Sequence, residues 1–266
     1  MTGIEVHRGD GPLVLGLPHT GTFLPDDVRH RLNDNGLRLA DTDWHIHDLY
    51  AGLLDGVTTV RTPVHRYVID CNRSPEQTSL YPGMNTTDLV PETDFDGRPI
   101  WTDGGHPTAA DTAHRLEAYF WPYHRALEAE MARVRRSNGV AILYDCHSIR
   151  GEIPFLFEGV LPDLNIGTNS GTSCAVALEE AVARRAGTSS CSSVLNGRFK
   201  GGWTTRNYGR PHEGWHTIQM EIAQRAYMDE APPWTFRAER AERLRTLLKD
   251  ILIDIAALAP TLKGAP

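Results

Sequence analysis

The stretch "VAILYDCHSIRGEIP", residues 140–154, decides the fold. Val140 to Leu143 form an apolar run without polar alternation, and Asp145, Cys146, His147 and Ser148 follow it. Such a run reads as a strand buried on both faces, the kind found inside a parallel sheet. Four polar groups at its carboxyl end imply that this end opens into a crevice. In open α/β sheets, ligands bind beyond the carboxyl ends of the strands.

Other segments end in the same way. "PLVLGLPH" predicts a strand over Leu13 to Leu17 that delivers His19. "VTTVRT" and "VHRYVID" predict two further strands, the second leading into Cys71, Asn72 and Arg73. A helix is expected over 39–54, and a long one over 108–137 with Pro122 as a kink. Beyond the quoted strand the pattern predicts a loop over 154–171, a helix over 172–186 and a short strand over 190–195. A glycine-rich basic loop, "NGRFKGGWTTRNYGRPHEG", leads to a strand, "WHTIQMEIA". A last helix runs from Phe236 to Leu258, with Leu244, Leu247, Leu248, Ile251, Ile255 and Leu258 on the face that would pack on a sheet. Strands alternating with helices predict an α/β fold with a mixed, largely parallel sheet flanked by helices. Residues 74–108 are rich in Pro, Gly, Thr and Asp and show no period. They read as a lid or an inserted set of short elements in a single domain spanning 1–266.

Composition narrows the function. With 266 residues, 40% apolar, the chain can bury a sizeable core. A net charge of −7 argues against a nucleic-acid partner. No apolar run is long enough to span a membrane. The first sixteen residues lack a basic region followed by a long apolar one, so no secretory signal is expected. Four cysteines without paired spacing suggest reduced thiols in a cytoplasmic protein.

The chemistry collects at the strand ends. His19 and His147 at matching ends suit a borderline divalent metal, most simply zinc, better than two unrelated structural histidines do. Catalytic zinc takes a third protein ligand. On a helix over 39–54, Asp43 would lie within the apolar stripe of Leu39, Ile46, Tyr50 and Leu53, whereas Asp41 would serve the helix start. A carboxylate on that face needs either a metal or a buried arginine. His47 would flank the stripe as a partner to a ligand. In "WHTIQMEIA", Thr217, Gln219 and Glu221 share the face opposite His216, Ile218, Met220 and Ile222. Glu221 is thus the candidate to move the proton of an activated water, its alternative being a solvated strand residue. Arg73 and Arg206 are the candidates to hold an anionic substrate, and Arg198 and Lys200 read as an ordinary solvated loop. Cys146 beside His147 suggests a cysteine nucleophile, but neighbours on a strand point to opposite faces.

Together, "PHTGTFLP", "DTDWHIHDLY", "VHRYVIDCNRSP", "DCHSIRGEIP", "LPDLNIGT", "GRFKGGWTTRNYG" and "HTIQMEIAQRAYM" resemble the N-formylglutamate amidohydrolases, in order from about residue 12 to 230. The resemblance implies hydrolysis of N-formyl-L-glutamate to formate and glutamate in histidine degradation. It also implies kinship with the zinc carboxypeptidases and aspartoacylases, a fold also described as phosphorylase/hydrolase-like. By that kinship His19, Asp43 and His147 would hold one divalent metal and Glu221 would be the acid–base carboxylate. Asn72 and Arg73 would contact the substrate carboxylate, and Arg73 would also polarise the carbonyl. The carboxypeptidases carry a Glu three residues after the first histidine, where this chain has Thr22, so the third ligand must come from elsewhere. Two alternatives stand beside this reading. One is a deacylase or peptidase for another N-acyl amino acid; the other is a non-catalytic protein that binds an acidic ligand.

Overall fold

A computed structural model describes residues 3–78, 83 and 85–262. Its seven strands are β1 (Glu5–His7), β2 (Leu13–Leu17), β3 (Thr58–Arg61), β4 (Ala141–Ile149), β5 (Leu164–Gly167), β6 (Ser193–Leu195) and β7 (Trp215–Ala223). They form one sheet in the order β1-β3-β2-β4-β7-β5-β6. The four pairings β3–β2, β2–β4, β4–β7 and β5–β6 are parallel, and β1–β3 and β5–β7 are antiparallel. The sheet is therefore mixed and largely parallel, as the alternating pattern predicts.

The helices are α1 (Asp26–Arg29), α2 (Ile46–Tyr50), α3 (Ala109–Arg115), α4 (Trp121–Asn138), α5 (Val176–Gly187), α6 (Trp203–Tyr208) and α7 (Ala238–Leu258). Two cores follow from the period-two alternation of β4 and β7. Ile142, Tyr144, Cys146, Ile218, Met220 and Ile222 pack with residues of α2, α5 and α7. Ala141 and Leu143 pack on the other side with residues of α4. Toward the carboxyl end of that second face the side chains become polar, and the site lies there.

Six expectations need correction. The central strand does not stop before Asp145: it runs to Ile149, every residue buried, so the polar groups are part of the sheet. The helix over 39–54 shrinks to Ile46–Tyr50, because Leu39 and His45 adopt left-handed backbone. There Asp43 N donates to His19 O at 3.0 Å, and Asp41 accepts from Tyr67 Oη and Phe95 N. These bonds to other segments replace the ladder of a helix. Asp41 thus caps no helix. Nor is "VHRYVID" a strand. Val68 N donates to His65 O, turning the chain, and Tyr67, Val68 and Ile69 are apolar because they fill the core against α4. The expected loop over 154–171 contains β5, whose central Asn165 donates to Pro162 O and Glu221 O. The glycine-rich loop contains α6.

The long helix is continuous from α3 to α4 through a π-helical turn, Leu116–Phe120. Pro122 stands at the second residue of α4, just past that turn, and the helix continues through it. Between β3 and α3 there is no helix or strand among the described residues. Nor is any helix among them long and apolar enough to cross a membrane.

Candidate active site

The parallel register of β4 with β7 sets His147 beside Glu221 and Asp145 beside Gln219. Strand β2 lies on the other side of β4, and His19 follows two residues after its last residue, Leu17. Asp43 arrives from the irregular segment before α2, held by its own amide on His19 O and by Ser148 N on its Oδ2.

These three side chains converge. His19 Nδ1 and His147 Nδ1 are 3.2 Å apart. Asp43 Oδ2 is 3.3 Å from His147 Nδ1 and 3.7 Å from His19 Nδ1. All three residues are at most 3% exposed. The far nitrogen of each ring faces a carboxylate: His19 Nε2 is 2.7 Å from Asp70 Oδ1, and His147 Nε2 is 3.0 Å from Asp145 Oδ2. Rings that donate Nε2–H to those carboxylates aim bare Nδ1 lone pairs at each other and at Asp43. Three acceptors so placed could share a cation. Ligands around a tetrahedral zinc at about 2.0–2.1 Å lie roughly 3.3–3.4 Å from one another. The observed edges bracket that value, so His19, Asp43 and His147 form a group that could hold a metal ion.

The electrostatics agree. Burial alone would lower the pKa of His147, but Asp145 and Asp43 raise it well above the usual imidazole value. Without a metal, a proton answers the same demand for positive charge. Burial would raise the pKa of Asp43, but the Arg66 guanidinium and then the two histidines hold it low. Arg66 Nη2 donates to Asp43 Oδ1 at 2.5 Å. The two explanations left open for Asp43, a buried arginine or a metal, therefore both apply, one to each carboxylate oxygen.

One cavity is lined by His19, His147 and Glu221, and also by Arg66, Asn72, Arg73, Arg198 and Gln219. Glu221 is 7% exposed, which excludes a solvated strand residue. Burial pushes its pKa up to about 7, partly opposed by His147. A carboxyl group titrating near neutrality can take up a proton and release it again. Gln219 Nε2 donates to Glu221 Oε2 at 3.3 Å, and Gln219 Oε1 is fixed by Gly202 N at 2.7 Å. Asn72 Oδ1 accepts from Thr204 N at 2.9 Å, and its Nδ2 lies 3.1 Å from His147 Nε2. A Cβ at Gly202 would fall 2.4 Å from that Nδ2, so only glycine fits there.

Arg73 donates to Thr87 O and Oγ1 and to Asn72 O, with Asp70 Oδ2 at 3.9 Å. Arg206 sits on α6 with Nε donating to Gly201 O and is not among the described residues lining the cavity. Arg198, read from sequence as a solvated loop residue, does line it. His47 is not brought to the site: it borders a separate crevice with Glu5, His7 and Arg61. Cys146 points into the opposite core, where burial holds its thiol well above the usual range. The sequence reading also missed Arg66 and Asp70. Each had one signal, a lone charge within an apolar run.

Comparisons with known proteins point to one family. A profile of the N-formylglutamate amidohydrolases matches residues 11–228. The N-formylglutamate deformylase of Pseudomonas aeruginosa is 44% identical over 258 residues, 96% of each chain. The deformylase of Pseudomonas putida is 43% identical over 256 residues, again 96% of each. The crystal structure of an N-formylglutamate amidohydrolase from Ralstonia eutropha superposes with a TM-score of 0.78 at 25% identity, covering 98% of both chains. A gene product of Agrobacterium tumefaciens shares the fold, with a TM-score of 0.62 at 21% identity over 96% of both chains. On this profile match and these near-full-length relatives, the chain belongs to the N-formylglutamate amidohydrolase family.

Proposed function

We propose that this chain is a metal-dependent amidohydrolase that cleaves N-formyl-L-glutamate to formate and L-glutamate, the last step of a cytoplasmic route of histidine degradation. The observation that carries the metal dependence is the convergence of three acceptors, two imidazole nitrogens and a carboxylate, beside a buried carboxyl group that titrates at about 7.

A divalent ion, most simply Zn2+, held by His19, Asp43 and His147 would supply Lewis-acid activation of water at neutral pH. Asp70 and Asp145 keep the two imidazoles in the tautomer that ligation needs. Glu221 takes the proton of the attacking water and gives it to the departing amine nitrogen, so formate and the free amine leave together. Gln219 steers the Glu221 carboxylate. Arg73 holds the α-carboxylate next to the scissile amide and polarises its carbonyl, and Asn72 beside it contacts the substrate. The segment 74–108 is an insertion in a single domain that walls one side of the cavity.

The test is release of glutamate from N-formyl-L-glutamate before chelation, after chelation and after zinc is restored. Activity lost and regained with the metal is the expected result. Turnover that survives complete removal of metal would sink the metal mechanism, and no turnover by the metal-replete protein would sink the substrate.

A further inference from the structure

The turn at the start of α6 reaches two cavity-lining amides with its backbone alone. Gly202 N donates to Gln219 Oε1 at 2.7 Å, and Thr204 N donates to Asn72 Oδ1 at 2.9 Å. A carboxamide carries its acceptor on one branch and its donors on the other, so an N–H on the oxygen dictates where the NH2 group points. Gln219 therefore presents Nε2 to Glu221 Oε2 at 3.3 Å. Asn72 presents Nδ2 at the cavity wall beside the His147 ring, 3.1 Å from its Nε2. A reversed Gln219 amide would set its oxygen against the Glu221 carboxylate and its NH2 against a backbone N–H. Both amides are buried, so these partners decide their orientation.

Gly202 is what makes room for this arrangement. Its φ of −77° and ψ of −165° are extended backbone that any residue adopts, so the chain's path does not call for glycine. The Asn72 amide does. A Cβ at 202 would fall 2.4 Å from Asn72 Nδ2, 2.5 Å from Oδ1 and 2.6 Å from Cγ. Asn72 is short and doubly tied, at Oδ1 by Thr204 N and at its own carbonyl by Trp203 N at 3.4 Å. It cannot swing aside and keep those bonds. We propose that Gly202 is a positioning residue of the site: its N–H turns the Gln219 amide toward Glu221, and its lack of a side chain lets the Asn72 amide stand at the cavity wall. This role rests on the deformylase reading, in which Glu221 moves the proton and Asn72 contacts the substrate.

The experiment is a double-mutant cycle on the zinc-replete enzyme. Gly202→Ala, Asn72→Ala and the pair are compared by kcat/KM for N-formyl-L-glutamate and by Tm. Gly202→Ala should lower kcat/KM by about 10–100-fold, the cost of a misplaced contact. It should also lower Tm, although alanine at this φ would by itself raise it. Because the added methyl acts by displacing Asn72, the pair should be no worse than Asn72→Ala alone in either readout. Gln219→Met keeps the bulk but offers nothing to Gly202 N or to Glu221, and it should lower kcat by about 10-fold with KM little changed. Losses that add in the pair, or Gly202→Ala with wild-type kcat/KM, would overturn the role of Gly202 toward Asn72. Wild-type kcat in Gln219→Met would overturn its role toward Glu221. Wild-type enzyme inert toward N-formyl-L-glutamate would overturn the deformylase reading and the catalytic part of this proposal with it, while the Tm cycle would still decide whether Gly202 sets Asn72.

Discussion

The two ends of the cavity are built in different ways. At one end His19, Asp43 and His147 are at most 3% exposed, and each faces a charged partner: Asp70 on His19, Arg66 on Asp43 and Asp145 on His147. Their backbones are sheet strands or are pinned directly to them. Elsewhere the wall is made of loop residues that include Asn85, Leu156 and Arg198, and Phe155, next to Leu156 in sequence, is 44% exposed. On the proposed reading, chemistry sits on the rigid part and recognition on the adaptable part. The difference predicts that changes at the buried end act on the rate and on metal retention, and that changes at the loop end act on substrate affinity and choice.

The largest effect should come from Glu221. Glu221→Gln keeps the shape and the hydrogen bond to Gln219 but removes the proton acceptor. We expect a fall in kcat of about 10²–10⁴-fold, with zinc content unchanged. In wild type, Glu221 must be ionised to accept the proton, and its pKa is raised to about 7. Activity should therefore fall as pH drops below about 7, and a metal bound nearby would draw that limb to lower pH. Metal analysis alongside a pH profile checks both points. A variant that loses its zinc as well would show that Glu221 supports the ligand set and would break the division of labour at the buried end.

A smaller effect should follow from Asp145→Asn and Asp70→Asn. Both carboxylates face the ring nitrogens that point away from the proposed metal. Neither Asp145 oxygen has a hydrogen-bond donor among the described residues, and the His147 ring stands 3.0 Å away as its charge partner. The amide can present its NH2 to the imidazole and favour the wrong tautomer. Metal affinity should weaken by about 10–100-fold, the usual cost of losing such a partner. Competition with a chelator of known affinity measures it. Unchanged affinity in both variants would mean that the tautomers are set elsewhere.

The same contrast explains what could be read in the sequence. The strands β2, β4 and β7 are legible because burial on both faces leaves an unbroken apolar run or a clean alternation. His19, His147 and Glu221 sit on or next to those strands, so their meeting follows from strand order. Asp43 was reached through a helix that does not exist. Leu39 and His45 are left-handed, and between them Asp41 and Asp43 bond to Tyr67, Phe95 and His19, contacts that no periodicity records. Arg66 was hidden because "VHRYVID" has a strand's composition but turns, swinging its arginine toward Asp43. Arg198 was hidden because its environment depends on where Asn85 and Leu156 lie, far away in sequence.

The smallest predicted effect belongs to Gly97, at the loop end. Its φ of +77° lies in the left-handed region, and a Cβ there would fall 2.7 Å from the Phe155 ring. The turn that needs it is tied by Asp94, whose Oδ1 accepts from Asp96 N and Arg98 N. Gly97→Ala therefore meets both backbone strain, about 1–2 kcal/mol, and a ring that has to move aside. Because Phe155 O accepts from Asn85 Nδ2, and Asn85 O accepts from Arg198, the displacement passes toward the loop wall of the cavity. The expected outcome is a Tm lower by roughly 2–6 °C, a KM for N-formyl-L-glutamate raised a few-fold, and kcat and zinc content unchanged. A fall in kcat at saturating substrate, with KM untouched, would show that the two ends are coupled through segment 74–108 and that the separation drawn between them is wrong.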